Sequence, residues 1–207
     1  MATLSANATQ TAYVMNDPGS GTTWAAVRAA ATGTGSSDSL NDNYPQNMNY
    51  GGGNFDLARC FFAFDTSSLG ASAIISAATF TFVSNGAGSD SDATSYVLMP
   101  STQGSPISTS DFGAVTFTNC GTLALADRVN GSNVITLNAA GIANINKTGT
   151  TKFALSFLLD QANTSPTGYN FADIRSSTVP VLEITYTLPS PVYRVRPDVS
   201  IGVGITV

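Results

Sequence analysis

The 207-residue chain contains no histidine. Catalytic triads that rely on imidazole, histidine-ligated zinc sites and imidazole proton shuttles are therefore excluded together. Glutamate occurs once, at Glu183, and cysteine twice, at Cys60 and Cys120. Two thiols without a histidine do not make a structural zinc site, and two cysteines in a chain with ample core material do not make a disulfide scaffold. The two thiols either pair with each other or stay buried as small apolar side chains. Charge is sparse as well, with 10% of residues ionic against roughly 25% in an average domain. Solubility then rests on Ser, Thr, Asn and Gly, a surface suited to an extracellular or particle-bound protein.

Clustered positive charge is also missing. Eight Lys and Arg residues are scattered from Arg28 to Arg196 against a net charge of −5, which argues against nucleic acid as a partner, because phosphate backbones demand a basic stripe. The longest apolar runs, such as residues 61–64 and 97–99, fall far short of the roughly 20 residues a membrane-spanning helix needs. No membrane span is expected. The opening residues Met1-Ala2-Thr3-Leu4-Ser5 lack the basic and apolar regions of a secretory leader. A processed form, or a protein that leaves its cell inside a particle, is the expectation.

What the chain does contain is short alternating runs separated by turn residues, the pattern of an all-β domain. Phe153, Leu155, Phe157 and Leu159 share one parity and are expected to face a core. Cys60, Phe62 and Phe64 alternate with Arg59, Phe61, Ala63 and Asp65, so a strand there carries Phe on both faces and belongs at the centre of a sheet. Further strands are predicted at 11–15, 78–84, 95–100, 114–119, 133–137 and 180–186, divided by Gly-, Asn- and Pro-rich turns. One short helix is predicted over 139–146, capped by Asn138 and presenting Ile142 and Ile145 on one face. The expected architecture is a jelly-roll β-sandwich over residues 1–187, followed by a proline-rich linker and a C-terminal strand in 188–207.

That tail carries the most distinctive pattern. Leu188-Pro189-Ser190-Pro191 is stiff, because proline fixes its own φ and extends the residue before it. Beyond it Val199, Ile201, Val203, Ile205 and Val207 alternate with Ser200, Gly202, Gly204 and Thr206, a strand with one β-branched apolar face and one smooth face. Each such side chain forgoes about 1.5–3 kcal/mol if left in water. Cover comes either from the domain's own sheet or from a neighbour that accepts the tail as an added strand.

Sites for chemistry are few. Glycoside hydrolysis needs two flanking carboxylates, and Glu183 falls on the outward parity of a strand. Asp90 with Asp92, or Asp38 with Asp42, have oxygens suited to calcium, but none continues into a full ligand series, and hydrated turns account for them better; no metal or other cofactor is expected. The Gly-, Ser- and Asn-rich stretch 16–54 carries Trp24, Tyr44 and Tyr50, aromatics able either to stack on sugar rings or to cap an open end of the sandwich.

Several segments, read in order, resemble the DNRLRE (disaggregatase-related) family of β-sandwich modules, which overlaps with alginate-type carbohydrate-binding modules. Arg59-Cys60-Phe61-Phe62-Ala63-Phe64-Asp65 is similar to that family's Arg-x-x-Leu-x-Phe-Asp strand. Residues 66–80 are similar to its Leu-Ser-Ser-Leu and Ile-x-Ser-Ala-x-Leu continuation, and Pro180-Val181-Leu182-Glu183-Ile184-Thr185-Tyr186-Thr187 to its closing strand. Ala12-Tyr13-Val14 stands where the family opens. Residues 137–146 and 152–155 also resemble segments of phage and metagenomic virion-type proteins. The resemblance implies a jelly roll, usually non-catalytic, in secreted or surface proteins. The functional expectation is a non-enzymatic structural protein that self-assembles through its C-terminal strand into a virion component or extracellular filament, with a carbohydrate-binding adhesion module as the alternative.

Overall fold

Period-two alternation decides which face of each strand is buried. In the computed structural model, which describes residues 1–38, 45–175 and 178–189, that alternation builds an antiparallel β-sandwich. Its strands are β1 (Ala2–Asn16), β2 (Gly35–Ser37), β3 (Gln46–Gly51), β4 (Asn54–Asp65), β5 (Ile74–Asp90) and β6 (Ser95–Pro100). They continue as β7 (Gly121–Ala124), β8 (Gly131–Thr136), β9 (Thr150–Phe157), β10 (Tyr169–Arg175) and β11 (Val181–Thr187). Strand β1 joins the two layers. Its residues 2–7 pair with β11, and from Ala8 on it pairs with β4, with a register shift between Ala8 and Gln10. One layer runs β1-β4-β9-β6-β7, and the other runs from β1 through β11 to β5, which β8 and β10 flank.

The inner faces meet in an aromatic core. Cys60, Phe62 and Phe64 of β4 and Phe153, Leu155 and Phe157 of β9 face Phe80 and Phe82 of β5 and Leu182 and Ile184 of β11. Ring contacts chain through it, from Phe62 to Phe80 at 5.0 Å, Phe82 to Tyr96 at 5.5 Å and Tyr96 to Phe157 at 5.5 Å. A second apolar cluster lies on the opposite face of β4. There Val14, Leu57, Phe61 and Ala154 are covered by Trp24 and Val27 of helix α1 (Trp24–Ala29) and by Phe112. This second cover is why β4 is apolar on both faces, as its sequence predicts.

Other expectations need correction. Residues 114–119 form no strand; they make an isolated bridge, Ser101↔Val115, and lie across the outer face of β4, where Phe117 stacks on Arg28 at 3.6 Å. A pattern of alternation there reflects a loop packed on a sheet rather than a ladder. Three short α-helices, not one, occur among the described residues. Thr23 caps α1 by accepting from the Ala26 N–H. Asn138 caps α2 (Ala139–Ala143) as expected, accepting from the Gly141 N–H at 3.0 Å, though this helix ends earlier than its sequence suggests. Strand β9 stops at Phe157 and the chain turns into α3 (Leu158–Gln161), so Leu159 packs against the core only in part. No helix among the described residues is long and apolar enough to cross a membrane.

Candidate functional site

The lower end of the sandwich, where β11 finishes, is built from β5 and α2. Register places Tyr186 opposite Ile75 and Thr187 opposite Ile74, so the chain leaves the sandwich beside the first residues of β5. Strand β8 flanks β5 only from Thr79 to Ser84. Residues 74–77 of β5 therefore keep one edge without a neighbouring strand among the described residues. An apolar groove of about 360 Å³ lies there, lined by Ile74, Ile75, Ile142, Ala143 and Ile145 with Lys147 at its rim. Ile74 is 59% exposed, an unusual position for a β-branched aliphatic side chain. Helix α2 is held in place by the Asn138 cap and by Gly141, where a Cβ would collide with the Cys120 carbonyl.

A second exposed feature is aromatic. Tyr50, at the end of β3, and Tyr169, at the start of β10, are 47% and 46% exposed and meet edge to face with ring centroids 5.1 Å apart. Register sets Tyr169 opposite Met48, and the Tyr50 hydroxyl donates to the Met48 sulfur at 2.9 Å, which anchors the pair. Polar groups flank it: Asp92 accepts from the Thr167 N–H at 2.7 Å and hydroxyl at 3.0 Å, and the Tyr169 N–H donates to Ser91 Oγ. Sequence reading missed Tyr169. Its only signal was a position just after the turn residues Thr167 and Gly168.

The remaining sequence candidates are placed as follows. Trp24 is 5% exposed and packs on Phe55 at 6.0 Å inside the second cluster, so its ring has no face for a sugar; the helix that it begins is what buries it. Tyr44 and the tail residues Val199, Ile201, Val203, Ile205 and Val207 lie outside the described residues, as does Asp42. Asp90 is engaged by Arg128 at 3.0 Å, and Asp92 by Thr167 and Asn170, so the Asp90–Asp92 pair does not read as a calcium loop. Glu183 faces outward, as predicted. Cys60 and Cys120 are both buried and free. Burial pushes the Cys60 thiol far up and the Cys120 thiol to about 11, so both stay protonated and unreactive.

One strongly polar cluster is buried. Arg59 and Asp160 are both wholly inaccessible, and Arg59 donates from Nε and Nη2 to the two carboxylate oxygens at 2.8 Å each. Its other donors reach the Phe112 carbonyl at 2.8 Å and the Arg28 carbonyl at 3.1 Å, and its guanidinium lies 4.4 Å from the Phe112 ring centroid. Arg28 in turn donates to the Asp160 and Gln161 carbonyls at 2.6 and 3.3 Å. With every hydrogen bond directed at the protein's own backbone or at Asp160, the cluster ties α1, α3 and the Phe112 loop to β4. Its role is to hold the fold.

Among the described residues no group of three or more Asp, Glu, Cys or His side chains converges. No family model matches the chain, and no curated protein matches its sequence.

Proposed function

We propose that the chain is a non-enzymatic structural module of a virion surface or extracellular filament, and that it assembles by lending its C-terminal strand to the groove of a second copy. The observation that carries this reading is the exit point of the chain: β11 ends opposite Ile74, at a groove that combines exposed isoleucine with an unflanked strand edge. An alternating apolar strand needs both, side-chain cover and backbone partners. Residues 188–198, eleven in number, reach about 35–40 Å when extended. That reach is long enough for residues 199–207 to meet a neighbouring copy, and Pro189, Pro191 and Pro197 favour a stiff, extended linker. Five buried β-branched side chains supply about 1.5–3 kcal/mol each, enough to offset a typical cost of association. The resemblance to DNRLRE modules agrees with a non-catalytic sandwich. Truncation after Pro189 tests the reading by light scattering: the full chain is expected as an oligomer and the truncated one as a monomer, whereas equal masses refute it.

A second reading, a carbohydrate-binding adhesion module, is favoured by the Tyr50–Tyr169 pair, since paired exposed rings flanked by hydrogen-bonding groups suit the apolar and polar faces of a sugar. A glycan array comparing the full chain with Tyr50→Ala/Tyr169→Ala tests it; hits of one class that vanish in the variant support the platform, and an empty array removes it.

A further inference from the structure

The turn between β3 and β4 holds a different kind of site. Asn54 and Asp56 sit at alternate positions of β4 and so project from one face, about 7 Å apart along the strand. Asp56 is 6% exposed, and its Oδ1, like Oδ1 of Asn54, is buried with no protein donor. Unpartnered carboxylate oxygens at such depth are rare, because each forfeits its hydration without return. Across from Asp56 runs the end of β1: Asn16 pairs with Leu57, and continuing that register by one residue sets Asp17 beside Asp56, at about 5 Å for opposed side chains.

The loop after Asp17 is pinned against this turn. The Thr22 N–H and hydroxyl donate to the Gly53 carbonyl at 3.0 and 3.2 Å. Gly53 takes φ +75°, and a Cβ there would stand 2.9 Å from the Thr22 carbonyl, so the close approach of the two segments requires glycine. Asp17 uses Oδ1 to accept from the Gly19 N–H at 3.2 Å. Among the described residues no cationic side chain is bonded to either aspartate.

We infer that Asp17, Asn54 and Asp56 form a binding site for a hard divalent cation of the calcium type. Two carboxylates and a carboxamide oxygen are an all-oxygen set, and exposed Asp17 leaves room for the waters that complete a calcium shell of six to eight oxygens. The cation supplies the positive charge that two adjacent carboxylates lack, and it ties β1, the loop to Thr22 and the β3–β4 turn together. This site is independent of the assembly proposed above and differs from the aspartate pairs suggested by the sequence.

Titration calorimetry of the full chain, stripped with chelator and held at pH 7.5, tests it with calcium chloride. One saturable site per chain is expected, with a dissociation constant of about 0.1–1 mM as in extracellular calcium modules, and with magnesium binding more weakly. Asp17→Asn and Asp56→Asn are each expected to weaken calcium at least about tenfold. Asp17 is exposed, so its variant keeps the fold and the comparison stands even if Asp56→Asn does not fold. Absence of saturable heat up to about 10 mM calcium, or wild-type affinity in Asp17→Asn, overturns the inference.

Discussion

Replacing Asp160 by Asn removes one charge from a site where nothing else can take its place. The change keeps the volume, so no cavity term enters, but of the two charge-assisted hydrogen bonds of 2.8 Å to a wholly buried guanidinium it leaves one to a neutral amide oxygen and sets an NH2 against the other donor. Arg59 cannot escape by losing its proton, because guanidinium stays charged at any working pH. The carbonyls of Phe112 and Arg28 remain as acceptors, yet neither carries a compensating charge. Breaking a buried pair in this way costs about 3–5 kcal/mol. For a chain of this size each kcal/mol moves the midpoint by about 2–4 °C, so Tm should fall by about 6–20 °C. Equilibrium unfolding in urea, followed by tryptophan fluorescence from buried Trp24, measures the same loss as a lower midpoint at unchanged slope. A loss below about 1 kcal/mol would refute the claim that this pair clamps the helices and the Phe112 loop to β4.

Further outcomes follow from other parts of the molecule. Because burial, and after it the neighbouring Asp17 charge, keeps the folded Asp56 carboxyl protonated to about pH 7 while an unfolded one releases its proton near pH 4, the contribution of Asp56 to stability in chelator should be fullest below pH 4 and be lost as pH rises through 7. Urea midpoints of the wild type and Asp56→Asn across that range check this: the wild type should lose stability relative to the variant as pH rises from 4 to 8, and an unchanged difference would contradict it. Gly141→Ala forces a methyl towards the Cys120 carbonyl and should cost about 1–3 kcal/mol by overpacking, read as a drop in Tm. In the native state both thiols should resist a thiol-reactive dye and label only after unfolding; rapid native labelling of either would contradict their burial.

Much of the sandwich was legible because period-two alternation survives wherever one sheet face is buried. Strand β6 occupies the predicted residues 95–100, and the Phe-bearing faces of β4 point as their parity requires. Legibility failed where a segment packs without pairing. Residues 114–119 alternate like a strand, but their apolar positions serve the outer cluster and their neighbour is a guanidinium. Helix α1 was hidden because six residues are too few to display a period of 3.6. For the same reason the sequence leaves Trp24 open between a sugar platform and a cap on the sandwich, and its burial comes from a helix that composition does not announce. The cation site was invisible since its members lie far apart in sequence, and only the β1–β4 register unites them. The groove likewise depends on where β8 stops along β5, a property of pairing rather than of any local pattern.

The most direct test of assembly places one cysteine on each side of the proposed contact in separate chains. One protein carries Ile74→Cys and the other Val203→Cys, while the buried Cys60 and Cys120 remain as bystanders. Mixed and mildly oxidised, they should yield a covalent heterodimer on a non-reducing gel. If a single chain bearing both substitutions closes on itself and the mixture gives no heterodimer, the tail covers its own groove and the polymer does not form this way.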